Sequence, residues 1–183
     1  GTVKRPSEQA TEFDPTTNGV TRSGEYPFDD PGMYYQWHYI NKGRVSLYPT
    51  AIEGEDINVE AAWKLTTGRP DVVVAIVDEG VCYDHDDLKA NFHVNEAELN
   101  GEDGVDDDDN GYIDDIHGYN FVTNGTISCS RPNDSGHGHH IAGTIAAVNN
   151  NGKGVCGIAG GSGKGDGVRI MSVQYSSNGQ AVG

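Results

Sequence analysis

The sequence predicts an α/β fold built on a mainly parallel sheet. Two apolar runs, residues 72–77 and 168–173, have the length and composition of buried strands. Between them, residues 136–148 carry apolar side chains at helical spacing, and a glycine-rich loop over residues 157–167 leads into the second strand. Alternation of strand, helix and strand indicates an α/β architecture rather than a helical bundle.

The first strand follows a short predicted helix. Asn58 is a candidate N-cap for a helix that runs to Leu65, with Leu65 on its buried stripe. The run over residues 72–77 is apolar at every position, which predicts a central strand covered on both faces. It ends at Asp78, and parallel sheets place their chemistry at the carboxyl ends of strands.

A second polar residue of interest stands at the start of the longer predicted helix. His137 is flanked by glycines and followed by small residues, so this helix can pack closely on the sheet. Taken alone, an aspartate at a strand end or a histidine at a helix start is commonly a surface residue. Asp78 followed by His137 in this setting fits a general base and the carboxylate that orients it.

Composition limits the function classes. The chain has 183 residues, enough for one domain, and a formal net charge of −16 from 12 basic and 28 acidic residues. This charge argues against nucleic acid as a partner, because phosphates are bound by Lys and Arg. The sequence contains no apolar run of about 18 residues, the length that would predict a membrane span. Of Cys82, Cys129 and Cys156, at least one is expected to stay free unless two chains are joined.

Two segments resemble the subtilisin-like (subtilase) serine peptidases. Residues 74–88 are similar to the aspartate region of that family, and residues 137–147 are similar to its histidine region. The resemblance covers about residues 34–175 and implies a subtilisin-like three-layer fold, here only its N-terminal portion. On this basis residues 1–33 are predicted to be a polar N-terminal extension. Residues 34–183 are predicted to be the N-terminal part of a peptidase domain, truncated before the catalytic serine.

The resemblance also implies an activity, serine endopeptidase, with polypeptide substrates and a secreted or cell-envelope location. Asp78 would orient His137, which would take the proton of a serine that attacks the peptide carbonyl. In that family the serine follows the histidine by roughly 150 residues, so this chain alone is expected to be inactive. Truncation is expected to expose a packing face, which predicts self-association.

Two residues depart from the family's pattern. Glu79 stands where Thr or Ser is usual, and it would disfavour ionisation of Asp78 unless its carboxylate turns to solvent. His139 stands where Thr is usual. These departures support an alternative function, a catalytically degenerate, calcium-stabilised subtilase domain that binds peptides or protein partners. The group His137, His139 and His140 also suggests zinc, but no His-Glu-x-x-His pattern is present.

An acidic segment over residues 93–118 predicts a calcium site. Asp, Asp, Asn, Gly and Asp occupy positions 1, 3, 5, 6 and 9 of a calcium-loop pattern. The predicted ligands are the side chains of Asp106, Asp108, Asn110 and Asp114 and the carbonyl of Tyr112. The twelfth position is His117 rather than Glu, so the loop is not an EF-hand. The alternative is a solvated acidic loop.

Family resemblance implies a second, weaker calcium site. Its ligands would be Asp87, Asn150 and backbone carbonyls of the asparagine-rich loop over residues 149–152. Ordinary turn chemistry explains the asparagines of that loop equally well, because Asn side chains readily bond to nearby backbone. The second site therefore depends on the resemblance alone.

Overall fold

A computed structural model describes residues 26–43, 50–130, 136–177 and 180–181 of the chain. The strands are β1 (Val73–Asp78), β2 (Gly118–Asn120), β3 (Gly125–Thr126), β4 (Arg169–Gln174), β5 (Ser176–Ser177) and β6 (Gln180–Ala181). The α-helices are α1 (Val59–Trp63), α2 (Glu96–Asn100) and α3 (His137–Ala146), and 3₁₀ turns cover Pro31–Tyr35 and Lys89–Asn91. None of the helices in these ranges is long and apolar enough to cross a bilayer.

The main sheet has four strands in the order β1-β4-β2-β3. Strand β4 pairs in parallel with both β1 and β2, and β3 is antiparallel to β2. The predicted α/β fold with a mainly parallel sheet is confirmed. The register places Asp78 beside Gln174 and Gln174 beside Asn120, so three polar residues line the carboxyl edge of the sheet.

Helix α3 covers one face of this sheet. Val74 and Ile76 of β1 and Ile170 of β4 pack with Ala142 and Ala146 of the helix in one core cluster. Both alanines are fully buried. Because their side chains are small, the helix axis can approach the strands closely, as the sequence predicted for this segment.

The opposite face of β1 is exposed, which corrects the prediction of a central strand covered on both faces. Strand β1 lies at one end of the sheet order, and Val73 and Val77 are 45% and 58% exposed. The central position belongs to β4, whose inward-facing Ile170 and Ser172 are fully buried. An apolar run shows that a strand suits burial, but it does not say which element provides the cover.

Helix α1 is shorter than predicted. It ends at Trp63, and Leu65, which was expected on the buried stripe, is 88% exposed. Asn58 occupies the N-cap position with a left-handed φ of 57° and makes no side-chain capping bond. The buried contact is instead made by Val59, with Trp63 packed against the same cluster one helical turn later.

The folded body includes residues before position 34. Tyr26 and Phe28 pack against a cluster formed by Met33, Tyr39, Ile40, Val59 and Cys156. Asp30 is also buried. The predicted polar extension therefore overlaps the body over residues 26–33, and its remainder, residues 1–25, lies outside the described residues.

The cysteines form one disulfide within the chain. Cys82 is bonded to Cys129, and Cys156 is free and buried. The sequence predicted at least one free thiol, unless two chains are joined, but left its identity open. The disulfide joins the loop after β1 to the segment that follows β3, and the N–H of Cys82 contacts His139 of α3.

Candidate active site and acidic loop

A carboxylate and an imidazole meet where β1 ends and α3 begins. Oδ2 of Asp78 lies 2.8 Å from Nδ1 of His137. The Asp78 side chain is 13% exposed, whereas that of His137 is 65% exposed. When the Nδ1–H of an imidazole is donated to a shielded carboxylate, Nε2 is left as the basic nitrogen. The structure thus brings the two sequence-predicted residues into the arrangement of a general base and its orienter.

Glycines permit this close approach. Gly136, which precedes α3, has a φ of 76°, a left-handed conformation that favours glycine. A Cβ on Gly138 would lie 2.6 Å from the carbonyl oxygen of Gly80 and 3.3 Å from Oδ1 of Asp78. The glycines around His137 therefore allow the first turn of α3 to lie directly against the loop after β1.

Hydrogen bonds from the backbone hold the loop after Asp78. The N–H of Glu79 donates to Oδ1 of Asp78 at 2.7 Å, and the N–H of Val81 donates to Oγ of Ser172 at 2.8 Å. Glu79 therefore supports Asp78 through its backbone N–H, which any residue except proline could provide at this position. Ser172 was not singled out from the sequence. Its signal was an inward-facing polar residue within an apolar strand.

His139 makes a third contact with this loop. Its Nε2 accepts the N–H of Cys82 at 2.9 Å, and Cys82 is in turn bonded to Cys129. The sequence marked His139 as a departure from the family's threonine but gave no indication of this partner. Residues 131–135, which precede this helix, lie outside the described residues.

Carboxylates of α2 and of the acidic loop that follows it, residues 101–117, converge. Glu98, Asp108 and Asp115 each place an oxygen within 4.8 Å of the others. Within the described ranges no comparable group contains histidine, so the zinc alternative gains no support. Glu98 is 4% exposed and accepts the backbone N–H groups of Asp107 and Asp114, each at 2.8 Å. This buried carboxylate, absent from the predicted ligand set, organises the loop.

The other predicted ligands have different positions relative to this group. Asp106 accepts the N–H of Gly111 at 2.8 Å, and Gly111 has the left-handed φ of 94° that the predicted turn requires. The Asn110 carboxamide donates to the carboxylates of the group at 3.1 Å. The carboxylate of Asp114 instead accepts the N–H of Gly104 at 3.0 Å.

Two further contacts fix the acidic loop. The ring of Tyr112 packs on those of Tyr119 and Phe121, with centroids 4.8 and 5.5 Å away, which anchors the loop beside β2. The amide of Asn95, which precedes α2, donates to Asp108 at 2.9 Å. This hydrogen bond lowers the pKa of the Asp108 carboxyl, because it stabilises the charged form.

The second predicted calcium position contains two buried carboxylates. Asp87 and Asp30 are 5% and 4% exposed. Asp87 accepts the N–H of Val155 at 2.9 Å and the amide of Asn151 at 2.8 Å, while Asp30 accepts the N–H of Asn150 at 2.8 Å. Burial raises the pKa of both carboxyls, and the charge of Asp30 adds to the increase at Asp87.

Both polar atoms of the Asn150 side chain form hydrogen bonds within the chain. Its Oδ1 accepts the N–H of Asp29 at 3.1 Å, and its Nδ2 donates to the carbonyl of Ser162 at 3.0 Å. These bonds connect the segment before the first 3₁₀ turn to two loops of the body. Asp30 was missed because it lies in the segment assigned to the polar extension.

The chain is similar to known proteins over much of its length. Residues 69–182 match the family model Peptidase_S8, described as the subtilase family. The chain is 46% identical over 138 residues to subtilisin-like protease 1 of Plasmodium falciparum (isolate 3D7), which covers 75% of the chain and 18% of that protein. It is 33% identical over 158 residues to protease KEX1 of Kluyveromyces lactis, covering 86% of the chain and 17% of that protein.

A solved structure is also similar, that of a protease from Pseudoalteromonas arctica. It is 29% identical with a TM-score of 0.42, and the match covers 79% of this chain and 38% of that one. The chain spans less than a fifth of the length of the two curated relatives above.

Proposed function

The chain belongs to the subtilase family, and from this membership we propose that it supplies the aspartate and the histidine of a serine endopeptidase. In this proposal Asp78 orients His137, and the serine is provided by the longer protein of which the chain forms part. The observation that supports it is the 2.8 Å contact between Oδ2 of Asp78 and Nδ1 of His137. The substrates would be polypeptides.

The geometry suits each proton transfer of this reaction. Nε2 of His137 takes the hydroxyl proton as the serine oxygen bonds to the peptide carbonyl carbon, and Asp78 stabilises the imidazolium that forms. The imidazolium then gives its proton to the leaving amine as the carbon–nitrogen bond breaks. Water repeats the cycle on the acyl-enzyme. The exposure of His137 leaves room for a substrate, whereas the shielding of Asp78 preserves its charge interaction with the ring.

Labelling with a fluorophosphonate tests this function. The longer protein should be labelled on a serine, and His137→Ala should abolish the labelling because no base remains to take the hydroxyl proton. His140→Ala is the matched control, since it removes an exposed imidazole from the same helix. A folded longer protein that is not labelled would contradict the peptidase and favour the catalytically degenerate, calcium-stabilised binding domain.

We also propose that the acidic loop binds calcium. Glu98, Asp108 and Asp115 would hold the ion, with Asp106 and Asn110 beside them, because calcium prefers carboxylate and amide oxygens. Carboxylates at these separations repel one another, and a divalent cation would offset that repulsion. Thermal melts with calcium and with a chelator test the proposal, and an unchanged midpoint would count against it.

A second calcium position is proposed at Asp87 and Asp30. The pKa of each carboxyl is raised because burial disfavours the charged form, and a cation between them would reverse that penalty. Asn150 was predicted from the sequence as a ligand of this site. Its side-chain atoms hydrogen-bond to Asp29 and Ser162, so the proposal rests on the two carboxylates. Calcium titration of an Asp87→Asn variant would detect the position as the loss of one binding step.

The location and self-association of the chain are proposals as well. A secreted or envelope location is supported by the Cys82–Cys129 disulfide, because such bonds persist in oxidising compartments.

Self-association of the chain alone is supported by the exposed apolar face of the edge strand β1, where Val73 and Val77 lie. Sedimentation should show oligomers that Val77→Lys disperses. A monomer before that change would contradict self-association.

A further inference from the structure

Three consecutive residues in the first turn of α3 contact the last residue of β1 and the loop that follows it. His137 bonds to Asp78 through Nδ1. Gly138 lies so close to the loop that a Cβ would be 2.6 Å from a backbone carbonyl oxygen. His139 accepts the N–H of Cys82 on Nε2 at 2.9 Å. The helix and the loop therefore form a continuous contact, of which the Asp78–His137 pair is the first part.

The contact at His139 has a fixed direction. The donor is a backbone N–H, which cannot act as an acceptor, so Nε2 of His139 must carry a lone pair. In the neutral ring this places the proton on Nδ1. A side chain without an acceptor at this point would remove the hydrogen bond between the helix and the Cys82 N–H.

The loop from Asp78 to Cys82 is held from two sides. On one side the N–H of Val81 donates to Ser172, which connects the loop to β4 and thus to the sheet that carries Asp78. On the other side Cys82 bonds to His139 in the helix that carries His137. The two hydrogen bonds thus connect this loop to both elements that carry the pair.

We propose that His139 is a positioning residue for the Asp78–His137 pair. Its Nε2 lone pair holds the loop against α3 and so keeps Oδ2 of Asp78 at hydrogen-bond distance from Nδ1 of His137. The proposal rests on the proposed function, in which that contact orients a general base. It also gives the departure from threonine a physical role, because the position supplies an acceptor that reaches the N–H of Cys82.

The test is made in the longer protein and compares two amide side chains at position 139, those of glutamine and asparagine, which differ by one methylene group. His139→Gln places an amide oxygen at about the reach of Nε2, whereas the amide of His139→Asn is too short. We expect His139→Asn to lower kcat roughly tenfold at nearly constant KM, the effect of one lost hydrogen bond, and His139→Gln to stay within about twofold. His140→Asn, on the exposed side of the same helix, is the control and should leave kcat unchanged.

A second readout does not need the serine. The Nδ1–H proton of His137 gives an NMR resonance shifted far downfield when it is donated to a carboxylate. It should persist in His139→Gln and be lost or move upfield in His139→Asn. If the wild-type protein shows the resonance but cleaves no peptide, the proposed function fails while the resonance still decides the role of His139. His139→Ala replaces the asparagine variant if the latter does not fold.

Three results would overturn the proposal. The first is an unchanged kcat and an unchanged His137 resonance in His139→Asn. The second is an equal loss in His139→Asn and His139→Gln, because reach would then not matter. The third is a lower thermal midpoint in His139→Asn with kcat preserved, which would make the contact purely structural.

Discussion

The Asp78–His137 pair and the acidic loop both depend on carboxylates, but they are held together differently. Asp78 finds its partner 59 residues away in the sequence, through the packing of a helix on a strand. In the acidic loop, carboxylates are satisfied mainly by nearby backbone N–H groups, as Glu98 is by those of Asp107 and Asp114. The pair therefore needs the tertiary fold, whereas the loop gathers charge that a cation would stabilise.

Replacing the carboxylate of the pair should have the largest effect. Asp78→Asn keeps the shape but favours the wrong imidazole tautomer, so we expect kcat of the longer protein to fall by about 10⁴-fold. The control is Asp71→Asn, an exposed carboxylate just before the same strand, which should leave kcat within about twofold. If Asp78→Asn lowers kcat by less than about tenfold, Asp78 does not orient the base.

Removing the disulfide should have the next largest effect, on the stability of the fold that holds the pair. The bond closes a loop across a sequence separation of 47, so Cys82→Ser with Cys129→Ser should lower the free energy of unfolding by about 4 kcal/mol. Chemical denaturation of the longer protein measures this. Reducing agent should destabilise the wild type and leave the double variant unchanged. Equal free energies of unfolding for the wild type and the double variant, both without reducing agent, would contradict the prediction.

Calcium should affect the acidic loop and leave the pair intact. At a concentration about 100-fold above Kd, the ion should stabilise the protein by ~2.7 kcal/mol and raise Tm by about 5–10 °C. Glu98→Gln should remove the part of this increase that the acidic loop contributes, because it removes the buried charge of the group. Glu96→Gln, an exposed carboxylate in the first turn of the same helix, should preserve it. A calcium-dependent shift of the same size in both variants would exclude Glu98 as a ligand.

The smallest effect concerns pH and the buried carboxyl of Asp87. Its folded-state pKa is raised above 3.8, so the folded protein binds more protons than the unfolded one just above that value. Without calcium, its contribution to stability therefore decreases as pH rises from about 4 towards 7. Asp87→Asn does not titrate, so its Tm relative to the wild type should increase over this range.

The neighbouring Asp86 provides the control for that pH series. It is exposed, and its hydrogen bond from Lys89 lowers the pKa of its carboxyl, so Asp86→Asn should not reproduce the trend. A Tm difference for Asp87→Asn that decreases with pH, measured in chelator, would mean that the fold stabilises the Asp87 carboxylate instead. Saturating calcium should weaken the trend, because a bound cation favours the charged carboxyl.

The sequence predicted most accurately the two elements that carry Asp78 and His137. Asp78 and His137 stand at a strand end and a helix start, and packing α3 on the sheet brings them together without further information. The position of β1 was correct, but its exposed face was not predicted, since apolarity does not identify the covering element. The prediction that Leu65 is buried was wrong for a related reason. The helical spacing of the sequence continues past Trp63, the residue at which α1 ends.

Loop geometry set the limit of prediction at the acidic loop. The spacing pattern selected Asp114, yet the structure directs that carboxylate to Gly104 and brings Asp115 to the group. A change of one residue in a turn reverses the direction of a side chain, and no periodicity records it. Glu98 was missed because it lies on α2, outside the motif. Asp30 was missed because a polar segment was read as an extension.

The protonation state of the His137 ring tests the central claim most directly. Nitrogen NMR of the ring, at a pH where the histidine is neutral, should show the proton on Nδ1 and the lone pair on Nε2, and Asp78→Asn should change this distribution. That result would establish Asp78 as the orienter of a base. A wild-type ring with its proton on Nε2, or a tautomer that is insensitive to Asp78→Asn, would contradict the account.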